Sequence, residues 1–462
     1  MNRKYFLILH VSSKGNKDEV ERKLKAFGFY PESGIPRLIE KYLITVSNNR
    51  VDMHDLLEQM GKDIVNEECK QPGGRSRLWN YEDIDHVLTT ETPLENLKLM
   101  DLSLCCRLER IPNLSSIAPN VEFLYLEGCL SLVEIPSLQN LSKLTELYLN
   151  GSNKIKDCPE IPCNIRILKL DGTGIEQLPS SIKHLSQLVI LSLYECTALE
   201  SLPSSIGNLK RLEELHLSEC LRLVTIPSSI GELKCLEKLF LPNCSNLASL
   251  PESIKQLSKL KLLDLRDCES LKSLPELLSC LELLDATDCL SLESASISFN
   301  FLEHEDENEE ADKSEHENEE AHKSESEDCK FLNFNTCVKL NKKVMEDVFE
   351  AHLLGQKVTL LMAGGEVPER MRYKNKGSSL SFKLDLRHLI AFSFCVVFRP
   401  TDLIDFRRFE VDFICESGNR RERNAFNLFS DKDVANWNGY HVALSSAALL
   451  SFERGKTIQE NN

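Results

Sequence analysis

Cysteine offers the most obvious chemistry in this chain, because seven of its 17 cysteines recur at one place in a repeated pattern. This cysteine column consists of Cys105, Cys129, Cys196, Cys220, Cys244, Cys268 and Cys289. A ladder of thiols could hold a metal or carry redox chemistry. We favour a structural interpretation, because the column contains no C-x-x-C pair and Ser152 and Thr173 fill its two gaps. Small side chains at this position are expected to point inward and meet backbone groups.

The column belongs to a leucine-rich pattern, L-x-x-L-x-L-x-x-C-x-x-L-x-x-(I/L)-P, which is complete over 212–227 and 236–251. Nine segments fit its first half at a spacing of 21–24 residues, beginning at Leu97, Val121, Leu144, Ile165, Leu188, Leu212, Leu236, Leu260 and Leu281. The L-x-L alternation predicts one short strand per repeat with its leucines inward. Nine such units predict a leucine-rich-repeat solenoid with a parallel sheet on its concave face.

The non-leucine positions of these strands are predicted to face solvent on the concave side, where they form the candidate protein-contact surface. The candidates are Tyr125, Tyr148, Lys169, Tyr194, His216, Phe240, Asp264 and Arg266. Exposed aromatic rings among scattered charges are typical of interface hot spots. The alternative is that the rings cover one another along the sheet.

Charge is concentrated in one segment of the chain. The formal net charge is -17, and residues 303–328 alone hold fourteen Asp or Glu and two Lys. Such a run predicts a disordered acidic linker over 301–328. The sequence contains no cluster of Lys and Arg of the kind that nucleic-acid binding requires. It also contains no stretch that is apolar enough to span a bilayer. The odd number of cysteines and their repeat spacing favour a reducing, cytoplasmic location, with the nucleus as an alternative.

Residues 1–92 lack the repeat and predict two helices, a hairpin and a further helix, which is a winged-helix-like arrangement. Four stretches in this segment carry a specific resemblance: GIPRLIEKYLIT at 34–45, VDMHDLL at 51–57, GKDIV at 61–65 and PGGRSRLW at 72–79. They resemble the plant intracellular nucleotide-binding leucine-rich-repeat disease resistance receptors of the Toll/interleukin-receptor (TIR) class. The resemblance identifies residues 1–92 as the end of the nucleotide-binding (NB-ARC) switch region.

The tripeptide Met53-His54-Asp55 matches the MHD motif of that family. The resemblance implies that His54 faces the β-phosphate of ADP and that Asp55 supports the local geometry, in the context of a complete switch module. The family's TIR domain and phosphate loop precede this point, and no G-x-x-x-x-G-K-[ST] occurs in the chain. We therefore interpret the chain as an N-terminally truncated receptor that by itself needs no cofactor, whereas the full-length family uses ADP or ATP.

Residues 329–462 predict a second folded region, because alternating and buried-strand patterns appear at 380–386, 391–398 and 409–414. Stretches at 334–340, 365–369 and 377–382 resemble the jelly-roll/Ig-like β-domain (C-JID) that follows the repeats in the same receptors. The predicted architecture is therefore multidomain α/β: a winged-helix-like remnant at 1–92, repeats at 93–300, the linker at 301–328 and an all-β sandwich at 329–462.

The function that the sequence predicts is recognition and not catalysis. By resemblance, the repeats and the β-domain would bind a pathogen effector or a host protein that effectors target. One alternative is a non-signalling product, such as a decoy, a partner for a full-length receptor or an incomplete gene product. The other is an NTPase or NAD hydrolase, which the sequence disfavours because it shows neither a phosphate loop nor a TIR domain.

Overall fold

A computed structural model describes residues 17–298 and 330–371 apart from short gaps at 27–29, 48, 79–80, 91, 278–279, 355 and 365, together with residue 374 and four strands within 391–448. The chain consists of two compact units, divided between His216 and Leu217. The acidic segment predicted to be a linker lies outside the described residues, as do residues 1–16. No helix in the described ranges is long and apolar enough to cross a membrane.

The first unit opens with a small helical module. Helices α1 (Lys17–Ala26) and α2 (Pro31–Glu40) precede a hairpin of β1 (Ile44–Ser47) and β2 (Arg50–Met53), and α3 (Asp55–Glu68) follows. Its core is a cluster of apolar side chains that the helical and alternating patterns place on one side: Val20, Leu24, Ile35, Leu38, Ile44, Val51 and Val65. This order of elements confirms the predicted winged-helix-like arrangement.

A two-residue strand, β3 (Arg77–Leu78), and helix α4 (Tyr81–Thr90) come next. Strand β3 pairs in parallel with the first repeat strand, with Leu78 opposite Met100. The parallel ladder therefore begins before residue 93, the predicted start of the repeat region. The pattern could not show this because so short a strand contains no L-x-L alternation.

The predicted repeats each form one strand. In the first unit these are β4 (Leu99–Asp101), β5 (Phe123–Tyr125), β6 (Glu146–Tyr148), β7 (Ile167–Lys169), β8 (Ile190–Ser192) and β9 (Glu214–His216), joined by parallel pairing in that order. In the second unit β10 (Lys238–Phe240), β11 (Leu262–Asp264) and β12 (Leu283–Asp285) pair in the same way. The leucines of the pattern are buried, which confirms the predicted parallel leucine-rich-repeat solenoid.

The return segments contain a short helix, α5 (Leu114–Ile117), and four 3-10 helices. Each of the four 3-10 helices follows a proline of the (I/L)-P step, which has extended backbone angles: Pro179, Pro203, Pro227 and Pro251. A proline suits this position because its ring fixes φ in the extended range that these four residues adopt. It also has no backbone N–H that would need a hydrogen-bond partner.

The solenoid ladder continues beyond the ninth repeat. Strand β13 (Lys330–Phe334) pairs in parallel with β12, with Leu332 opposite Leu284, and β14 (Val358–Ala363) pairs in parallel with β13 after helix α6 (Lys343–Leu353). Residues 330–340 therefore extend the repeats, although their resemblance assigned them to the β-domain. The presence of α6 also means that the region after residue 328 is not all-β.

Four more strands belong to the second unit: β15 (Ala391–Phe398), β16 (Arg408–Ile414), β17 (Arg421–Asn427) and β18 (His441–Ala448). Strand β18 pairs antiparallel with both β14 and β15, and β16 pairs antiparallel with β17. The predicted strand patterns at 391–398 and 409–414 coincide with β15 and β16. The sandwich predicted from the strand patterns and the resemblance stays a prediction.

Candidate functional site

The cysteine column forms hydrogen bonds to backbone carbonyls. The thiol of Cys129 donates to the carbonyl of Leu102 at 3.1 Å, and that of Cys244 donates to the carbonyl of Leu217 at 3.1 Å. The hydroxyl of Ser152 makes the equivalent bond to Leu126 at 2.8 Å. These contacts confirm the structural interpretation, and they explain why serine can stand in for cysteine, since both are small side chains with one donor.

The column thiols are poorly suited to metal or redox chemistry. Burial raises the pKa of Cys129 to about 12 and that of Cys196 to about 11. The reactive form of cysteine is the thiolate, which such a pKa suppresses at neutral pH. Among the described residues, no group of three or more His, Cys, Asp or Glu is arranged to hold a metal ion.

The column has one member that the repeat pattern missed. The thiol of Cys337 donates to the carbonyl of Ala286 at 3.0 Å, across the space between β12 and β13. Leu332, Phe334 and Leu340 stand at the spacing of the repeat leucines around it. The motif could have been found by extending the L-x-(L/F)-x-x-C-x-x-L search past the acidic segment.

The concave face of the first unit carries two rows of outward strand positions. The outer row runs from Leu99 to Glu214 and the central row from Asp101 to His216, with one residue of each row per strand, as the parallel registers show. The first half of this face is apolar and aromatic. Leu99, Phe123, Tyr125, Tyr148 and Ile167 form one buried cluster, with Ile190 packed against it.

The prediction that Tyr125 and Tyr148 face solvent is wrong. The two side chains are 5% and 3% exposed, and their ring centroids lie 4.8 Å apart at an interplanar angle of 59°. The alternative, in which rings on neighbouring strands cover each other, accounts for part of this burial. Contacts from α1 account for a further part.

Helix α1 lies against this aromatic cluster with two basic side chains. The ammonium of Lys23 stands 4.5 Å from the centroid of the Tyr125 ring, and Lys23 is 2% exposed. The Nε of Arg22 donates to Oε1 of Glu146 at 3.3 Å. The other oxygen of that carboxylate accepts from the Tyr148 hydroxyl at 3.2 Å. The winged-helix-like module and the concave face therefore share a charged and aromatic contact.

The second half of this face, on β7 to β9, is more polar and more accessible. Lys169 places its ammonium 4.9 Å from the Tyr148 ring centroid, and Tyr194 is 38% exposed. Asp171 accepts hydrogen bonds from the Ser192 hydroxyl and, at 3.0 Å, from the Tyr194 backbone N–H. Burial raises the pKa of Asp171 although these bonds oppose the shift. His216 lies 3.2 Å from the Glu214 carboxylate and is partly exposed.

In the second unit, Phe240 on β10 is partly exposed, whereas Asp264 on β11 is buried. Arg266 holds Asp264 with two bonds, Nε to Oδ1 at 3.0 Å and Nη2 to Oδ2 at 2.8 Å. Burial raises the pKa of the neighbouring Asp285, whose Oδ1 accepts from the Thr287 hydroxyl at 2.6 Å. Asp264 was predicted to face solvent, and its burial follows from this bidentate pairing.

The MHD residues lie at the start of α3. His54 is the N-cap residue of that helix, and its Nδ1 accepts from the backbone N–H of Leu56 at 3.2 Å. Both His54 and Asp55 are exposed. Because Nδ1 accepts, the proton of a neutral ring sits on Nε2, which can then donate to an acceptor such as a phosphate oxygen. The geometry thus fits a phosphate contact from His54, and its participation in nucleotide binding stays a prediction.

The first two residues of the Arg75-Ser-Arg-Leu-Trp79 motif have a structural role. The Arg75 guanidinium donates to the Cys69 carbonyl at 3.0 Å and forms an ion pair with Asp83 of α4 at 2.7 Å. The Ser76 hydroxyl donates to the Glu68 carboxylate at 2.8 Å. These bonds join the end of α3 to the beginning of β3.

Comparisons with known proteins identify the same two regions. A Roq1-like disease resistance protein winged-helix domain matches residues 3–69. A leucine-rich repeat region matches residues 152–246, and a model of two leucine-rich repeats matches residues 119–163. Among solved structures, the leucine-rich repeat domain of the type III effector XCV3220 (XopL) covers 56% of this chain and 88% of its own, at 24% identity and a TM-score of 0.37.

Curated relatives are plant disease resistance proteins. RPS4B of Arabidopsis thaliana is 37% identical over 118 residues, which are 25% of this chain and 10% of that protein. RPP2A of the same plant is 29% identical over 314 residues, and the match covers 41% of this chain and 24% of that protein. RUN1 of Vitis rotundifolia is 31% identical over 189 residues, and the match covers 38% of this chain and 14% of that protein. The chain thus spans less than a quarter of the length of each of these relatives.

The winged-helix match covers three of the four stretches that carried the resemblance, and the fourth, at 72–79, lies just beyond it. The repeat matches lie within the leucine pattern. The chain is therefore a relative of the plant TIR-class nucleotide-binding leucine-rich-repeat disease resistance proteins, and it carries their winged-helix and leucine-rich-repeat regions.

Proposed function

We propose that the concave face of the repeats recognises a protein in plant immunity, either a pathogen effector or a host protein that effectors target. The observation that carries the proposal is the chemistry of the outward strand positions. Tyr194, His216, Phe240 and Arg266 supply aromatic, titratable and cationic groups where the strands need only polar residues for solubility. Tyr194 and His216 belong to the first unit, and Phe240 and Arg266 belong to the second. Groups of these types are what protein interfaces use as anchors.

A second part of the proposal is regulation by the winged-helix-like module. The contacts of Arg22 with Glu146 and of Lys23 with Tyr125 join that module to the recognition face. A ligand that competes with these contacts would shift the equilibrium between the docked and undocked arrangements, in proportion to its differential affinity for the two. In a complete receptor this shift would reach the ADP or ATP switch through His54 and Asp55. The expected location of such a receptor is the cytoplasm or nucleus.

The test is partner capture in leaf tissue that expresses pathogen effectors one at a time. We expect the full chain to co-precipitate at least one effector or its host target. Replacing Tyr194, His216 and Phe240 together with alanine should lower the captured amount on the order of a hundredfold, since three anchors of about 1 kcal/mol each total about 3 kcal/mol. The measurement is the ratio of partner to bait on quantitative blots.

A matched control replaces Lys183 and Lys255, which lie in exposed 3-10 helices of the return segments, with alanine. This variant should capture as much partner as the wild type. Equal capture by the wild type and the concave variant, or an equal loss in the control, would show that the concave face is not the recognition surface.

A further inference from the structure

We infer that the part of the concave face contacted by α1 is a docking site for a partner segment that presents an arginine and a lysine side by side on a helix. The inference rests on the proposed function and names the chemistry of the partner. It is carried by the groups that Arg22 and Lys23 contact in the structure. Those groups define what any competing segment must supply.

The arginine position is defined by Glu146. This residue sits in the middle of β6, and its side chain is 4% exposed. One carboxylate oxygen receives the Arg22 Nε and the other receives the Tyr148 hydroxyl. A carboxylate so far removed from water is strongly unfavourable without a cation beside it. A competitor must therefore replace the positive charge that it displaces.

The lysine position is defined by the pair of tyrosine rings. Lys23 is nearly inaccessible to solvent and faces the Tyr125 ring at 4.5 Å. Tyr148 presents its own ring to Lys169 at 4.9 Å, so both rings carry a cation. The face of a tyrosine ring attracts a cation most strongly when the cation is desolvated. A neutral side chain in place of Lys23 would forfeit this attraction.

The apolar surroundings explain why this site requires an occupant. Leu99 and Phe123 are each 1% exposed, although they stand at outward strand positions. At the equivalent positions further along the same unit, Ile190 and Glu214 remain partly exposed. Burial of the outer row therefore runs from β4 to β7, a range that includes β5 and β6, the two strands contacted by Lys23 and Arg22. An uncovered cluster of this composition would be an exposed apolar patch of the kind that marks interaction sites.

The side chains of α1 that contact the solenoid are different from those that hold α1 in its own module. Val20 and Leu24 belong to the core of the winged-helix-like module and are fully buried. Arg22 and Lys23 stand between them in sequence and contact the solenoid strands. A partner therefore competes for two cationic side chains and the apolar cover, and need not unfold the module.

The experiment uses two fluorescent peptides and the full-length chain. One peptide has the sequence of residues 17–26, and the other carries Arg22→Ala and Lys23→Ala. Each is titrated into the wild-type chain and into the same chain with Arg22→Ala and Lys23→Ala, whose folding is checked by circular dichroism. We expect the basic peptide to bind the doubly substituted chain about tenfold more tightly than it binds the wild type, and also about tenfold more tightly than the alanine peptide binds that chain.

Equal affinity of the two peptides for the substituted chain, or no binding by either up to about 1 mM, would overturn the inference. A second variant covers the case in which the substituted chain does not fold. Glu146→Gln in the otherwise wild-type chain should speed hydrogen exchange of the α1 amides, and unchanged exchange would also contradict the inference. Failure of the proposed function is measured separately, by partner capture with the Tyr194, His216 and Phe240 substitutions, so the two failures are distinguishable.

Discussion

The structural role of the cysteine column can be tested at Cys244. This side chain is fully buried, and its thiol donates to the Leu217 carbonyl, which also accepts from the Cys220 backbone N–H at 3.3 Å. Alanine at this position removes one heavy atom from a packed interior, at a cost of about 1 kcal/mol for the lost burial and the small cavity. The lost hydrogen bond adds about 0.5–1 kcal/mol, because the carbonyl keeps its other donor. We therefore expect Cys244→Ala to lower the free energy of unfolding by about 2 kcal/mol.

Serine separates the two contributions. Ser152 makes the equivalent bond in the third repeat, so Cys244→Ser should keep the hydrogen bond and cost about 1 kcal/mol for burying the more polar hydroxyl. The assay is urea unfolding followed by circular dichroism in the presence of a reductant. Cys163, which is exposed, is the control: Cys163→Ala should change stability by less than about 0.5 kcal/mol. A serine variant no more stable than the alanine variant, or a zinc-dependent midpoint in the wild type, would refute the reasoning.

Three further predictions concern the junction, the pH dependence and the acidic segment. Arg75→Ala should lower the free energy of unfolding by about 2–3 kcal/mol, because it leaves Asp83 and two backbone carbonyls without their partner. It should also speed hydrogen exchange at the end of α3. Arg75→Lys should recover only part of the lost stability. Burial lowers the pKa of His352, whose Nε2 lies 2.9 Å from the Val358 carbonyl. The contribution of His352 to stability is therefore present above about pH 6.5 and is lost as the pH falls below that value. His352→Gln should make the urea midpoint depend less on pH between about pH 7 and pH 5. Deleting residues 303–328 should leave the thermal midpoint within about 3 °C, because β12 and β13 pair directly, and a larger drop would show that the segment supports the fold.

The repeat strands were predictable because the signal is local and repeated. Each strand from β4 to β12 overlaps one copy of the L-x-L alternation, with Met100 in place of a leucine in the first copy and Ala286 in the last. The period of two fixes which side chains point inward. Strand β13 has the same alternation in Leu332 and Phe334, but 48 residues separate Leu332 from Leu284 of the preceding strand. The regular spacing that identified the repeats therefore fails across the acidic segment. Strand β3 is too short to show any alternation at all.

The accessibility of the concave face was not predictable from the strand pattern. The pattern correctly placed Tyr125 and Tyr148 outward from the leucine core, yet both are buried. Part of this burial comes from α1, whose Lys23 contacts Tyr125 from more than 100 residues earlier in the sequence. No periodicity links positions so far apart. An aromatic residue at an outward position can therefore be buried, as Tyr125 is, or exposed, as Tyr194 is, and only the tertiary contacts decide which.

The winged-helix-like module is joined to the solenoid through both α1 and α3. Helix α3 has 14 residues, which corresponds to a length of about 21 Å. His54 caps its first turn, and the Arg75 and Ser76 bonds fasten its last turn to the strand that begins the parallel ladder. The bonds of Arg75 and Ser76 therefore fix the last turn of α3 to the solenoid, whereas the His54 bond lies within the helix itself. Because α1 contacts β5 and β6 while α3 is tied to β3, two separate sets of side-chain contacts join the module to the solenoid.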